Sequence, residues 1–283
     1  MTGEGAISTY VLEQGLDGAR GFVHSTFRSS LNVAADGFLL HVGKVNDPLS
    51  CLGMAVPEDE MRELLGRACQ EDLVVFGEGF LRVYSTGGVT RIDYSGFGHV
   101  DTRIPRLGKA WSEKTLACAI SDVDFRKGAG FHPSHALAEA LLDLSQAAGG
   151  EDGGPSLVAG AADFLIGRGL GLTPSGDDLL AGFGCAQWAR SHEDLLAGIR
   201  TEGLPGRTTD VSVAYLRAMA DGYANPDFVS LVRAVDDGDL RLTRKAVEGI
   251  LAVGHTSGHD SLLGFVVGMG LLDRLGGPDA FSC

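Results

Sequence analysis

PSHALAEALLDLSQAA, residues 133–148, marks the point where the chain changes its hydrophobic period. Ala136, Ala140, Leu141 and Leu144 fall at helical spacing and share a face. Before it, short β-favouring runs dominate: RGFVHSTF (20–27), GFLLHVG (37–43), DLVVFGEG (72–79), FLRVYST (80–86) and VTRIDY (89–94), separated by Gly, Asp, Asn and Pro. PEDEMRELLGRACQ (57–70) interrupts them as an amphipathic helix with acids in its first turn and Met61, Leu64, Leu65 and Ala68 on one side. LACAISDVDF (116–125) reads as one further strand. After the switch the period is helical almost throughout, with helices expected at 156–167, 175–190, 192–200, 208–223, 226–235, 239–253 and 257–275. The expected fold class is therefore α+β: a β-rich N-terminal domain over 1–128, packed on an all-helical C-terminal domain over 129–283, with a cleft between them.

Composition narrows the partners. The chain has 283 residues, 44% of them apolar, which suffices for a real core. Its 23 cations against 37 acids leave a net charge of −14, which argues against unassisted binding to nucleic acid or an anionic membrane. Cys51, Cys69, Cys118, Cys185 and Cys283 form no CxxC, so they suggest a reducing compartment and no zinc site. No basic leader precedes an apolar core, and no apolar run reaches the roughly 18–20 residues of a membrane span. The expected location is cytoplasmic.

Chemistry concentrates in GRGLGLTPSGDDLLAGFG (167–184) and its echo HTSGHDSLLGFVVG (255–268). Ser175-Gly176-Asp177-Asp178-Leu179-Leu180-Ala181-Gly182-Phe183 aligns without gaps on Ser257-Gly258-His259-Asp260-Ser261-Leu262-Leu263-Gly264-Phe265, a constant offset of 82 residues. A purely structural reading makes Ser175 with Asp178, and Ser257 with Asp260, two capping boxes above buried leucines. The glycine-rich approach, including Gly171, also suits an amide cradle for phosphate or carboxylate at a helix start. Capping leaves Asp177 and its counterpart His259 unexplained. A carboxylate beside an anion cradle calls for magnesium or for an amide-bearing ligand, and the residues do not choose. No ligand set accompanies Asp177-Asp178, so no metal is assigned. Elsewhere, VHSTFRSSLN (23–32) offers His24, Ser25, Arg28 and Asn32, with Arg28 able to grip a carboxylate or phosphate. Thr208 and Thr209 precede another helix as caps or substrate donors.

Together, VHSTFRSSLN, GRGLGLTPSGDDLLAG, TTDVS and GHTSGHDSLLG resemble the AllH-type family, over residues 20 to 275. Members of that family include a subunit of the oxamate carbamoyltransferase of anaerobic allantoin breakdown. The resemblance implies carbamoyl chemistry with oxamate or oxalurate and carbamoyl phosphate or phosphate, carried out with partner subunits. It places Gly171, Thr173, Pro174, Ser175, Gly176, Asp177 and Asp178 in the first motif, and Ser257, Gly258 and Asp260 in the second. His259 stands where the family often has a bulkier aromatic residue, which implies a shifted substrate preference. The resulting expectation is a carbamoyltransferase-type enzyme or subunit with Ser175, Asp177, Asp178 and His259 catalytic; the other residues named in the two motifs, the 23–32 segment and the threonine pair bind substrate. A non-catalytic ligand-binding subunit and a metal-dependent amide hydrolase are the competing readings.

Overall fold

The computed structural model describes residues 5–282, so Cys283 lies outside the described residues. Contacts divide the chain after Arg103 into two compact units.

In the first unit the described strands are β1 (Ala6–Ser8), β2 (Arg20–Thr26), β3 (Leu31–Ala35), β4 (Phe38–Lys44), β5 (Gly53–Val56), β6 (Leu73–Gly77), β7 (Phe80–Ser85), β8 (Gly88–Asp93) and β9 (Gly98–Val100). They form one sheet in the order β8-β7-β6-β2-β3-β4-β5-β1-β9. Pairing is antiparallel except at β4–β5 and β1–β9, which run parallel. Alternation explains the sheet, because successive side chains point to opposite faces. Val74, Phe76, Leu81, Val83 and Ile92 are buried, while Leu73, Arg82, Tyr84 and Arg91 on the other face are not. Two short helices complete the unit, α1 (Thr9–Glu13) and α2 (Glu58–Leu65), the latter burying Met61 and Leu64.

The second unit is helical: α3 (Glu113–Ala119), α4 (Phe125–Gly128), α5 (His135–Gly149), α6 (Gly154–Leu165), α7 (Ser175–Arg190), α8 (Asp210–Ala220), α9 (Pro226–Asp236), α10 (Leu240–Leu251) and α11 (Ser257–Gly268). The 192–200 segment forms a 3-10 turn, Glu193–Gly198, and the helix expected over 257–275 stops at Gly268 before another 3-10 turn, Leu272–Leu275. α5 starts on Ser134, whose hydroxyl accepts from the Leu137 amide, and ends on Gly150 at φ 85°, a left-handed cap. Its buried stripe runs through Leu137, Ala140, Leu141 and Leu144; Ala136, expected on that stripe, is exposed.

Residues 116–125, read as a strand, are instead the end of α3, a turn and the start of α4. The Ser112 hydroxyl caps α3 through the Thr115 amide, and Leu116, Ile120 and Phe125 enter the helical core. The apolar run was too short for its period to be told from that of a buried helix. Ile104 joins the same core, so the division at 103/104 precedes the one read at 128/129.

Candidate functional site

α7 and α11 are the two halves of the echo, and both are buried around most of their circumference. Small residues let their backbones touch. A methyl on Gly182 would lie 1.8 Å from the Ser261 carbonyl oxygen, and one on Gly264 would lie 1.9 Å from that of Leu179. Gly182 corresponds to Gly264 at the 82-residue offset and Leu179 to Ser261, so a local two-fold exchanges the two contacts. Further along, Gly268 meets its own counterpart Ala186. The helices therefore run side by side in the same direction, and their N-termini meet. The arrangement extends one element back: Gly176 abuts the Leu165 carbonyl at the end of α6, and Gly258 abuts that of Ile250 in α10.

This pairing overturns the capping-box reading. Pro174 and Thr256 hold the cap positions, neither makes a side-chain cap bond, and Ser175 and Ser257 are the first helical residues. Their hydroxyls act across the pair instead. Ser257, with Thr173, is a hydrogen-bonding neighbour of Asp178; Ser175, with Thr256, is a neighbour of Asp260. Thr173 Oγ1 lies 3.1 Å from Ser257 Oγ, joining the two starts directly.

Burial raises the Asp178 carboxyl to about 8; Ser257 and Thr173 oppose the rise, while the charges of Asp260 and Asp177 add to it. Asp260, fully buried, is also raised by burial; the Gly130 amide, the Ser175 and Thr256 hydroxyls and His259 pull the other way. The Gly130 N–H donates to Asp260 Oδ1 at 2.9 Å. Oδ2 of Asp178 and Oδ2 of Asp260 are each buried without a hydrogen-bond partner among the described residues. Buried Asp260 and half-buried Asp178, each with one buried and orphaned oxygen, are costly unless neutralised or given a partner.

Asp177 has a different occupation. Its Oδ1 accepts from the Gly167 amide at 2.9 Å and its Oδ2 from the Thr208 hydroxyl, so both oxygens tie down the glycine-rich loop. Thr209 caps α8 by accepting from the Ser212 amide and donates to the Leu172 carbonyl, pinning the same loop from beyond. Gly171, at φ 93°, stands at its exposed tip. The amides of Gly176, Asp177 and Asp178 donate to the carbonyls of Arg168 and Pro174. These three donors are already used within the chain, because the loop folds back onto the helix start.

RKGAG (126–130) roofs the acid pair: a methyl on Gly128 would lie 2.0 Å from the His259 ring, and one on Gly130 would lie 2.1 Å from Ser175 Oγ, 2.9 Å from Thr256 Oγ1 and 3.2 Å from Asp260 Oδ2. The two glycines, spaced for close approach, were its only trace.

The remaining candidates lie in the first unit, on the hairpin of β2 and β3. Asn32 is buried, donates to Ser25 Oγ at 3.1 Å and places Oδ1 2.9 Å from His41 Nδ1; His24 Nδ1 lies 3.2 Å from Ser25 Oγ. Burial lowers the His41 imidazole against the pull of Asp47. Its place in the apolar strand GFLLHVG is the sequence signal for it. Arg28 is exposed at the turn.

Among the described residues, no helix is long and apolar enough to cross a membrane, and no three of His, Cys, Asp and Glu are grouped as metal ligands. Residues 165–269 match the family model described as oxamate carbamoyltransferase subunit AllH. That segment holds both glycine-rich helix starts, and the resemblance read from the sequence is borne out there. No solved structure matches the chain.

Proposed function

We propose that the chain acts as a carbamoyltransferase-type subunit on a small substrate bearing a carboxylate and an amide, of the oxamate or oxalurate kind, with carbamoyl phosphate or phosphate as co-substrate. The observation that carries this reading is the crossed pair, Ser257 on Asp178 and Ser175 on Asp260, with Asp178 at about 8. A carboxyl group with that value holds its proton at neutral pH and exchanges it readily, as acid–base catalysis at neutrality requires. It can donate to a carbonyl or carboxylate oxygen, while Asp260 and the four hydroxyls of Thr173, Ser175, Thr256 and Ser257 orient an amide.

In transfer from carbamoyl phosphate to oxamate, the amide nitrogen forms the new C–N bond, sheds a proton and displaces phosphate. The ionised minority of Asp178 takes that proton, and in the reverse direction the protonated form, which predominates at neutral pH, gives it to the departing amide nitrogen. Ser175 and Ser257 polarise the carbamoyl carbonyl. Asp177 is a positioning residue that holds the loop through Gly167 and Thr208, and His259 tunes Asp260. Gly171, Gly176 and Gly258 shape the approach.

The test is carbamoyl transfer to oxamate with the companion subunits present. Asp178→Asn should lower the rate at least about 100-fold, the scale of a lost general acid–base group, at a melting temperature close to the parent's. A parent-like rate in that variant would remove Asp178 from the reaction.

A further inference from the structure

The outer face of β2, β6, β7 and β8 carries residues that neither the fold nor the proposed reaction uses. Direct register pairs Phe22 with Leu73, Leu73 with Tyr84 and Tyr84 with Val89. These four side chains thus form one row across four strands, about 14 Å long at the usual strand spacing. They are 40%, 46%, 39% and 50% exposed, although their neighbours on the opposite face are core. Scattered exposed apolar residues need no explanation, but a contiguous row of large ones does.

Two residues along each strand lies a second row on the same face: Arg20 opposite Val75, Val75 opposite Arg82, and Arg82 opposite Arg91. Beyond it, the Phe80 ring covers Gly77, and the guanidinium groups of Arg82 and Arg91 stand 4.7 Å and 3.9 Å from its centre. Aromatic residues and arginine are the residue types enriched where protein surfaces meet. Neither row contains an acid, in a chain whose net charge is −14; the nearest one on this face, Asp93 opposite Phe80, already pairs with Arg91 at 3.0 Å.

We propose that this face docks a companion protein subunit through an apolar ridge bordered by carboxylates, the apolar row taking the ridge and Arg20 and Arg82 the acids. The proposal rests on the reading of the chain as one subunit of a carbamoyltransferase assembly. Charge complementarity favours an acidic protein, and a second copy laid face to face about a two-fold parallel to the strands would set arginine row on arginine row. A single-stranded nucleic acid fits less well, because the Phe80 ring is already stacked under two arginines and the chain as a whole repels phosphate.

The experiment mixes the full chain with the purified companion subunits of an oxamate carbamoyltransferase and follows complex mass and hydrogen exchange. Expected are protection of 20–22, 73–75 and 80–91 in the complex, and at least a tenfold weaker Kd for Tyr84→Thr/Val89→Thr, which keeps β-forming side chains. Arg82→Gln is the second variant and should weaken binding while lowering the salt sensitivity of what remains. Binding that leaves these strands unprotected and both variants unaffected would overturn the surface while leaving the proposed reaction standing. Dimerisation of the chain alone through this face, or capture of single-stranded DNA by it, would also overturn it. Failure of any companion to bind would remove both this surface and the multi-subunit reading.

Discussion

Adjacent aspartates at the start of α7 face opposite tasks, and the backbone decides which does what. Consecutive helical side chains point about 100° apart, so Asp177 turns toward Gly167 and Thr208 while Asp178 turns toward α11. The sequence made Asp177 the residue left over because its partners, ten residues back and 31 ahead, leave no local pattern. Asp177→Ala should cost about 2–4 kcal/mol in urea unfolding, since it leaves two donors of the loop without their charged acceptor. Asp178 makes the opposite prediction for stability. Its folded value lies above its unfolded one, so the folded state binds the extra proton and stability falls as pH rises from about 4 to about 8. Asp260, raised in the same direction, adds to that slope. Melting curves across this range should therefore be flatter for Asp178→Asn than for the parent, and an unchanged slope would mean that Asp178 titrates normally.

At the scale of elements, the echo between 175–183 and 257–265 was legible as a pair of similar helix entrances, and its structural consequence is a pair of touching helices. Periodicity found the helices because each must bury a stripe. It could not show that α7 and α11 lie in register, since that depends on glycines chosen for backbone approach rather than for pattern. Gly264→Ala should destabilise by at least about 3 kcal/mol, the upper range for overpacking, because its methyl would meet a carbonyl oxygen that cannot retreat. Gly160→Ala, on the exposed side of α6, is the control: nothing lies within 4 Å of its methyl, and helix propensity predicts a gain of about 0.5–1 kcal/mol. Equal effects in thermal melts would contradict the close helix contact. Strands were found where alternation was long, as at β7 and β8, and missed where they were short or flanked by glycine, as at β1, β5 and β9.

For the whole molecule, the change from period two to helical period located two kinds of structure but placed their boundary late. Residues 104–128 contain β-favouring types, yet Ile104, Leu116, Ile120 and Phe125 pack into the helical core. A chain beginning at Ile104 should therefore melt cooperatively with helical circular dichroism. One beginning at residue 129 loses those four buried side chains, each worth about 1.5–3 kcal/mol, and should not. The reactive centre is assembled from two helix starts, with Asp178 neutral at pH 7. Carbon NMR titration of the labelled aspartate carboxyls, assigned with Asp178→Asn, measures this directly: a resonance titrating near 8 and absent from the variant is the expected result, and an Asp178 signal titrating near 4 would contradict it.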